Sequence, residues 1–470
     1  MTCAGFTGGI KDQEVNSPPS LKGGMLPERR EIEMEWWASL TLVVGGLIFI
    51  LLLGFPVAFG FLLTDLIFTA YLMGESGLQV LNLQIYASLA SFVLSPAPMF
   101  ILMGELMFHS NLANDTLDVL DRWLSWIPGR LSILAAVSGT IFAATSGSSL
   151  ANTAMLGTVL VPEMKKRGYS TFMSVGPIIG VGGIAMLIPP SALAVIFASV
   201  AQISVGQVLM GGVIPGVILG GIFCAFIVLC ALINPSGAPN YHTEPTPFSM
   251  KLYLTLKYLV PVGIIIFSVL GLIFLGVATP TEAAAFGALA TLIVNIFMGR
   301  FNWRMLRASM KGSLEVTAMV LMIVAASKTF STVLAFTNAT DGMVELVTGL
   351  SIHPILILIA MQIIVVVLGC LMDPVSIMLI TIPIFMPIVT ALGFDPIWFA
   401  VIMLVNLEMG NMTPPFGMLI FVMQGVTPKD VTYEQIVWAT LPYMLFDILV
   451  MAMIIVWPQI ALWLPRMLGE

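Results

Sequence analysis

Two long apolar segments of the 470-residue chain are each interrupted by adjacent prolines, Pro189-Pro190 and Pro414-Pro415. Proline lacks an N–H group and clashes with the preceding turn, which costs about 3 kcal/mol in a helix interior, so two prolines in succession should break the helix. Carbonyl groups before the break then lose their partners and can bind Na⁺, while the N–H groups of the following half-helix attract an anion. The double prolines therefore predict two ion-binding sites.

A polar turn lies in the middle of each of two other apolar stretches, 131–164 and 354–390. We expect these turns to be the tips of re-entrant helical hairpins, because irregular backbone at membrane depth must be buried in protein. Each tip should face the break of its own half. The alternative is that the small residues of these segments only let helices pack closely.

The two hairpin–break pairs supply hydroxyl, carboxylate and carbonyl oxygens, which are suitable Na⁺ ligands. The first predicted Na⁺ site consists of Ser146, Ser148, Gly183, Ile188 and Pro189. The second consists of Asp373, Gly410, Met412, Thr413 and Pro414. Substrate contacts are predicted at Ser149, Asn152, Ser191 and Ser376.

The composition indicates that these sites lie in a membrane protein. Hydrophobic residues make up 59% of the chain and charged residues 9%, against roughly 45–50% and about 25% in soluble proteins. With about 20 apolar residues per crossing, the chain is predicted to be an all-α polytopic membrane protein with about ten transmembrane helices plus the two hairpins. The net charge of −7 argues against a nucleic-acid partner. The cysteines and histidines lack metal-ligand spacing, which argues against a zinc centre.

The two halves of the chain match at a constant offset of 225 residues, which pairs Pro162 with Pro387, Gly168 with Gly393, and the two double prolines with each other. Within this match, Lys165-Lys166-Arg167 in the first half corresponds to an uncharged loop, 388–392, in the second. Because positively charged loops stay in the cytoplasm, the two copies should be inverted. Inverted repeats with broken helices are typical of secondary transporters.

The predicted domain organisation follows from this repeat. It comprises a disordered N-terminal tail over 1–35, a first repeat over 36–233 with hairpin 131–164 and broken helix 171–201, a cytoplasmic linker over 234–257, and a second repeat over 258–465 with hairpin 354–390 and broken helix 396–427.

Several ionisable residues fall within the apolar segments, where they are expensive and often functional. They are Asp65, Glu105, Glu282, Glu315, Lys328, Glu408 and Asp447. Glu408 precedes Gly410 by two residues, and we therefore expect it to tune or neutralise the second Na⁺ site. The alternative for most of the others is a position at a helix end or a membrane interface.

The combined motifs resemble those of the large membrane (M) subunit of the tripartite ATP-independent periplasmic (TRAP) transporter family, over about residues 38–465. The matching motifs are Met103-Gly104-Glu105-Leu106-Met107, Ser146-Gly147-Ser148-Ser149, Val161-Pro162-Glu163-Met164, Gly168-Tyr169, Ile188-Pro189-Pro190-Ser191, Ile214-Pro215-Gly216, Thr279-Pro280-Thr281-Glu282-Ala283-Ala284, Val405-Asn406 and Thr413-Pro414-Pro415-Phe416-Gly417. Two features depart from the family pattern, namely the long N-terminal tail and Lys328 at a position where we expect a small or apolar residue.

The resemblance implies an elevator-type importer of small organic acids by Na⁺ symport, located in the bacterial inner membrane as a multi-pass protein. It also implies two protein partners. One is a small membrane subunit of four helices, and the other is a soluble periplasmic protein that delivers the substrate. Na⁺ would be the transported coupling ion, and no organic cofactor is expected.

Three other functions compete with this interpretation. A stand-alone dicarboxylate or citrate carrier could have the same two-hairpin fold. An intramembrane hydrolase could use Ser146 or Ser148 as its nucleophile, but no histidine lies at a plausible intramembrane position, so an enzyme is not expected. An ion channel is disfavoured because two occluding hairpins suit a carrier better.

Overall fold

The computed structural model describes residues 35–110, 112–239, 246–415 and 417–468. The predicted tail over 1–35 lies outside these residues, except for Glu35. Regular structure in the described residues is entirely helical. Seven helices among them are long and apolar enough to cross a membrane, and seven further apolar helices of 10–17 residues accompany them. The prediction of an all-α polytopic membrane protein is therefore confirmed.

The helices in the first half begin with α1 (Trp36–Leu52), α2 (Val57–Phe68), α3 (Gly74–Leu89), α4 (Pro96–His109) and α5 (Leu112–Trp123). They continue with α6 (Arg130–Ser146), α7 (Ser149–Lys166), α8 (Thr171–Gly183), α9 (Ala192–Ala201) and α10 (Val205–Ile233). The helices that follow are α11 (Phe248–Leu254), α12 (Val260–Ile266), α13 (Leu272–Phe274), α14 (Pro280–Phe297), α15 (Trp303–Phe336) and α16 (Ala339–Gly349). The chain then forms α17 (Pro354–Gly369), α18 (Pro374–Ala391), α19 (Pro396–Met412), α20 (Met418–Val426), α21 (Tyr433–Val456) and α22 (Gln459–Met467).

Two helical hairpins occupy the predicted stretches. α6 and α7 form the first, and the turn between them contains Gly147 at φ +60°, a conformation that glycine adopts without steric cost. α17 and α18 form the second hairpin. The N-terminus of α7 is capped by Ser148, whose hydroxyl accepts a hydrogen bond from the Ala151 N–H over 3.3 Å. In the second hairpin Asp373 has the same role and accepts from the Ser376 N–H over 3.0 Å.

Both double prolines lie between two half-helices. The first break separates α8 from α9 and includes a single 3₁₀ turn over Ile184–Met186. The second break separates α19 from α20. The Pro189–Pro190 and Pro414–Pro415 peptide bonds are both cis. A broken helix in each half therefore lies next to a hairpin in the same half.

The helix boundaries repeat at the offset found in the sequence. α7 and α18 begin at Ser149 and Pro374, and α8 and α19 begin at Thr171 and Pro396, so each pair is 225 residues apart. The caps Ser148 and Asp373 have the same separation. The two halves thus have the same local structure although few of their residues are identical.

Contacts at the end of the first hairpin indicate how the two broken helices are oriented. Lys165, near the end of α7 and just before α8, forms an ion pair with Asp430, which follows α20. Gly157 of α7 also lies against Met423 and Val426 of α20. The beginning of the first broken helix and the end of the second therefore lie at the same level, so the two run in opposite directions. This is the relation expected for inverted copies.

Candidate functional site

A cavity of about 610 Å³ lies where both hairpin tips meet both breaks. The first tip contributes Ser146 to Ala151, and the second contributes Asp373 to Val375. α2, α4 and α15 form the facing wall, which is mainly apolar. The cavity is therefore bounded by elements from both halves of the chain and by long helices outside the hairpins.

Four helices begin at this cavity. The first residues of α7, α9, α18 and α20 are Ser149, Ala192, Pro374 and Met418, and all four line it. The first N–H groups of a helix have no partner within the helix, and the helix dipole gives this end a partial positive charge. The Asp373 carboxylate caps the N-terminus of α18, and the other three ends favour the binding of an anion such as a carboxylate.

The polar side chains in the cavity wall are few. They are Glu105, Ser146, Ser148, Ser149, Asp373 and Asn411. Among the described residues that line it there is no lysine, arginine or histidine. A bound anion would therefore be held by helix ends and hydroxyl groups rather than by a cationic side chain.

The first hairpin tip lies directly against the first break. A β-carbon added to Gly147 would lie 2.7 Å from the Pro190 carbonyl oxygen. Of the residues predicted for the first Na⁺ site, Ser146 and Ser148 line the cavity, whereas Gly183, Ile188 and Pro189 lie behind it. The structure therefore brings only the two hydroxyl members of this set to the cavity.

The second hairpin likewise lies directly against the second break. A β-carbon added to Gly369 would lie 2.7 Å from the α-carbon of Gly410. Asp373 lines the cavity and also accepts a hydrogen bond from the Ser376 hydroxyl. The Thr413 hydroxyl donates to the Met409 carbonyl over 2.7 Å. Among the residues predicted for this Na⁺ site, Asp373 lines the cavity, whereas Gly410, Met412, Thr413 and Pro414 form the break behind it.

The four predicted substrate contacts occupy different positions. Ser149 lines the cavity. Asn152 is buried and donates to the Gly139 carbonyl over 3.0 Å, which joins the two helices of the first hairpin. Ser191 is buried and caps α9. The Ser376 hydroxyl is bound to Asp373. Three of these four side chains thus stabilise the elements around the cavity, and only Ser149 has access to it.

Glu408 is close to Gly410 in the sequence, and we therefore expect it at the second Na⁺ site. The structure places its side chain elsewhere. It is only 2% exposed, and its Oε2 accepts a hydrogen bond from the Ser149 hydroxyl over 3.2 Å. Its side chain also lies against Gly183, where an added β-carbon would be 2.6 Å from the Glu408 Cγ. Side chains two positions apart on a helix point in directions that differ by about 200°. Glu408 therefore faces the first hairpin and the first break, whereas Gly410 faces the second hairpin.

Comparisons with known proteins agree with this architecture. The family model described as "Tripartite ATP-independent periplasmic transporter, DctM component" matches residues 44–460. The ectoine TRAP transporter large permease protein TeaC of Halomonas elongata is 30% identical, over 90% of this chain and 98% of its own length. The C4-dicarboxylate TRAP transporter large permease protein DctM of Pseudomonas aeruginosa is 31% identical, over 85% of this chain and 92% of its own length.

Solved structures with low sequence identity share the fold. The YdaH transporter of Alcanivorax borkumensis superposes with a TM-score of 0.62 at 14% identity, over 92% of this chain and 98% of that chain. MtrF of Neisseria gonorrhoeae superposes with a TM-score of 0.58 at 14% identity, over 82% of this chain and 85% of that chain. The family match and the relatives identify a multi-pass transport protein rather than an enzyme. With a family model that covers residues 44–460, hairpin and break motifs included, the chain belongs to the TRAP transporter DctM family of large permease subunits.

Proposed function

We propose that the protein is a Na⁺-driven importer of small organic acids, in which it forms the membrane permease and a soluble periplasmic protein delivers the substrate. The observation that carries this proposal is that four helix N-termini meet at one cavity. The described residues that line this cavity include no cationic side chain. A small carboxylate fits the positive potential of these helix ends. The two relatives compared above are named as transporters of ectoine and of C4-dicarboxylates.

Na⁺ coupling is supported by the chemistry at the two tips. Hydroxyl and carboxylate groups of Ser146, Ser148 and Asp373 line the same cavity as the helix ends, and the broken helices lie directly behind them. Oxygen-rich sites next to an anion site allow the cation and the organic acid to stabilise each other's binding. Coupled binding of this kind is the thermodynamic requirement for symport.

The proposed arrangement in the cell is a multi-pass protein of the bacterial inner membrane with two protein partners. One is a small four-helix membrane subunit, and the other is the periplasmic binding protein. A relative from Oleidesulfovibrio alaskensis, an isethionate TRAP transporter permease named DctMQ, is matched over 62% of its length at 29% identity, so that protein contains a substantial additional segment.

Transport would occur by an elevator-type movement. The hairpins and broken helices would move as one body against the long helices, because the cavity lies between these two sets of elements. A stand-alone dicarboxylate or citrate carrier with the same two-hairpin fold is the alternative. Uptake that does not require a binding protein would favour this alternative.

The test is uptake of labelled organic acids by proteoliposomes that contain this protein and its small subunit, with the binding protein added outside. We expect uptake with an inward Na⁺ gradient and none with K⁺ alone. Equal rates in Na⁺ and K⁺ under a matched proton gradient would exclude the sodium assignment. Equal rates with and without the binding protein would exclude the tripartite assembly.

A further inference from the structure

A carboxylate with an unused oxygen atom lies behind the first hairpin tip. Glu408 of α19 is almost completely buried. Its Oε2 accepts the hydrogen bond from Ser149, and its Oε1 has no hydrogen-bond partner among the described residues. Burying a carboxylate costs free energy when hydrogen bonds or a nearby cation do not fully balance its charge. A ligand that supplies positive charge would remove this cost.

A second unsatisfied oxygen lies one turn further along the hairpin. Thr153 follows Ser149 by four residues, so both side chains are on the same face of α7. Thr153 is fully buried, and its hydroxyl has no hydrogen-bond partner in the described part of the chain. This hydroxyl lies against Gly182, next to the Gly183 that Glu408 touches. The Thr153 hydroxyl and the Glu408 side chain thus lie against consecutive residues of α8.

A second carboxylate approaches the same place from α21. The ring of Tyr443 packs on Gly176 and Gly180 of α8. Asp447 is one turn further along α21, at the level where α8 ends and Glu408 lies. It is 1% exposed, and its Oδ2 has no hydrogen-bond partner within the described residues.

From these contacts we propose a third Na⁺ site, formed by the carboxylates of Glu408 and Asp447 and the hydroxyls of Ser149 and Thr153. The ligands are all oxygen atoms, which hard cations prefer. A cation between two buried carboxylates would compensate the charge of both. The site rests on the proposed Na⁺ coupling but is distinct from the sites at the two hairpin tips.

The location gives such an ion a specific effect on transport. Ser149 lines the substrate cavity on one side and contacts Glu408 on the other. An ion held by Glu408, Asp447 and Thr153 would connect the first hairpin to α19 and α21. It would thereby fix the position of the α7 N-terminus, which is one of the four helix ends at the cavity.

Equilibrium binding of ²²Na⁺ to the purified large and small subunits, in choline-based buffer, tests this proposal by counting the bound ions. We expect Glu408→Gln, which keeps the shape of the side chain, to bind one Na⁺ fewer per complex than wild type. Thr153→Val should retain the full count but weaken one of the sites, because it removes one neutral ligand. Asp65→Asn is the matched control, since Asp65 is an equally buried carboxylate on α2 and its loss should leave the count unchanged.

The possible results separate this site from the sodium coupling itself. If wild type binds Na⁺ as expected and Glu408→Gln binds the same number of ions per complex, the third site alone would be overturned. An equal loss in Asp65→Asn would also overturn it, because the effect would then belong to any buried charge. Wild-type complex that binds no ²²Na⁺ would instead contradict the proposed sodium coupling as a whole. If Glu408→Gln is not monodisperse, unchanged Na⁺ affinities in Thr153→Val would overturn the site.

Discussion

Gly369 and Gly410 touch through their backbones, so that a β-carbon added to Gly369 would lie 2.7 Å from the α-carbon of Gly410. Gly369 ends the first helix of the second hairpin, and Gly410 lies in the last turn of the helix before the second double proline. No side chain fits between them. The hairpin can therefore close on the break in this way only if position 369 remains glycine, whereas a β-carbon on Gly410 would lie 3.1 Å from the α-carbon of Gly369 and would need a smaller shift.

Gly369→Ala should hold the second hairpin away from the break. Overpacking of this kind costs about 1–3 kcal/mol, which corresponds to roughly a 5- to 150-fold change in an equilibrium. Na⁺-driven uptake should fall by about that factor in reconstituted vesicles. Gly425→Ala is the control, because a β-carbon there meets no atom within 4 Å. Equal uptake by Gly369→Ala and Gly425→Ala would mean that the hairpin does not close against Gly410 during transport.

Much of the hairpin and break geometry follows from local sequence rules. Prolines and glycines act through their own backbone, so the breaks at Pro189-Pro190 and Pro414-Pro415 could be located without a structure. The contact of Ser149 with Glu408 could not, because it joins residues 259 positions apart. The helical period of α19 does indicate that Glu408 faces away from Gly410. It does not reveal which helix lies on that other side.

Asp373 combines two possible roles that substitution can separate. Its carboxylate caps α18, and it is also the charged group of the second tip that lines the cavity. We expect Asp373→Ala to abolish transport, with a loss of about 1 kcal/mol of stability from the missing cap. Asp373→Ser should keep the cap, because Ser148 caps α7 in the same way at the corresponding position of the first half.

Uptake and thermal denaturation of both Asp373 variants distinguish the two roles. If the carboxylate binds a cation, Asp373→Ser should be as stable as wild type but inactive at limiting Na⁺. Uptake by Asp373→Ser that equals wild type at limiting and saturating Na⁺ would show that position 373 serves only as a helix cap.

The ion pair between Lys165 and Asp430 should depend on pH in a defined direction. The hydrogen bond from Lys165 lowers the pKa of the Asp430 carboxyl. Because the folded pKa is below the unfolded one, of about 3.9, the stabilisation is present above that value and is lost as the pH falls through the folded pKa. Asp430→Asn should therefore lower the melting temperature slightly and equally at pH 6 and pH 8.

This melting difference should shrink when the pH falls below about 4, and it should also shrink in concentrated choline chloride, because exposed ion pairs are screened by salt. Lys429→Gln provides a neighbouring charge change for comparison. A difference between wild type and Asp430→Asn that persists undiminished in high salt would show that the side chain acts by something other than its charge.

The inverted orientation of the two hairpins can be tested with single cysteines at positions 166 and 390. Lys166 is exposed near the end of α7, and Thr390 is exposed near the end of α18, at nearly equivalent positions of the two hairpins. Lys165-Lys166-Arg167 should keep the first position in the cytoplasm, whereas the loop after α18 has no positive charge and should lie outside. Cys3, Cys224, Cys230 and Cys370 are replaced first so that only the introduced thiol can react.

An impermeant thiol reagent added to intact cells should label Thr390→Cys but not Lys166→Cys, and inside-out vesicles should give the reverse pattern. A reducing agent impermeant to the membrane, added on the opposite side, checks that the vesicles are sealed. Labelling of both positions from the same side would mean that the two hairpins enter from one face. The opposite directions of the broken helices, which rest on the contact of Lys165 with Asp430, would then need another explanation. The paired Na⁺ sites at the two tips would lose their structural basis as well.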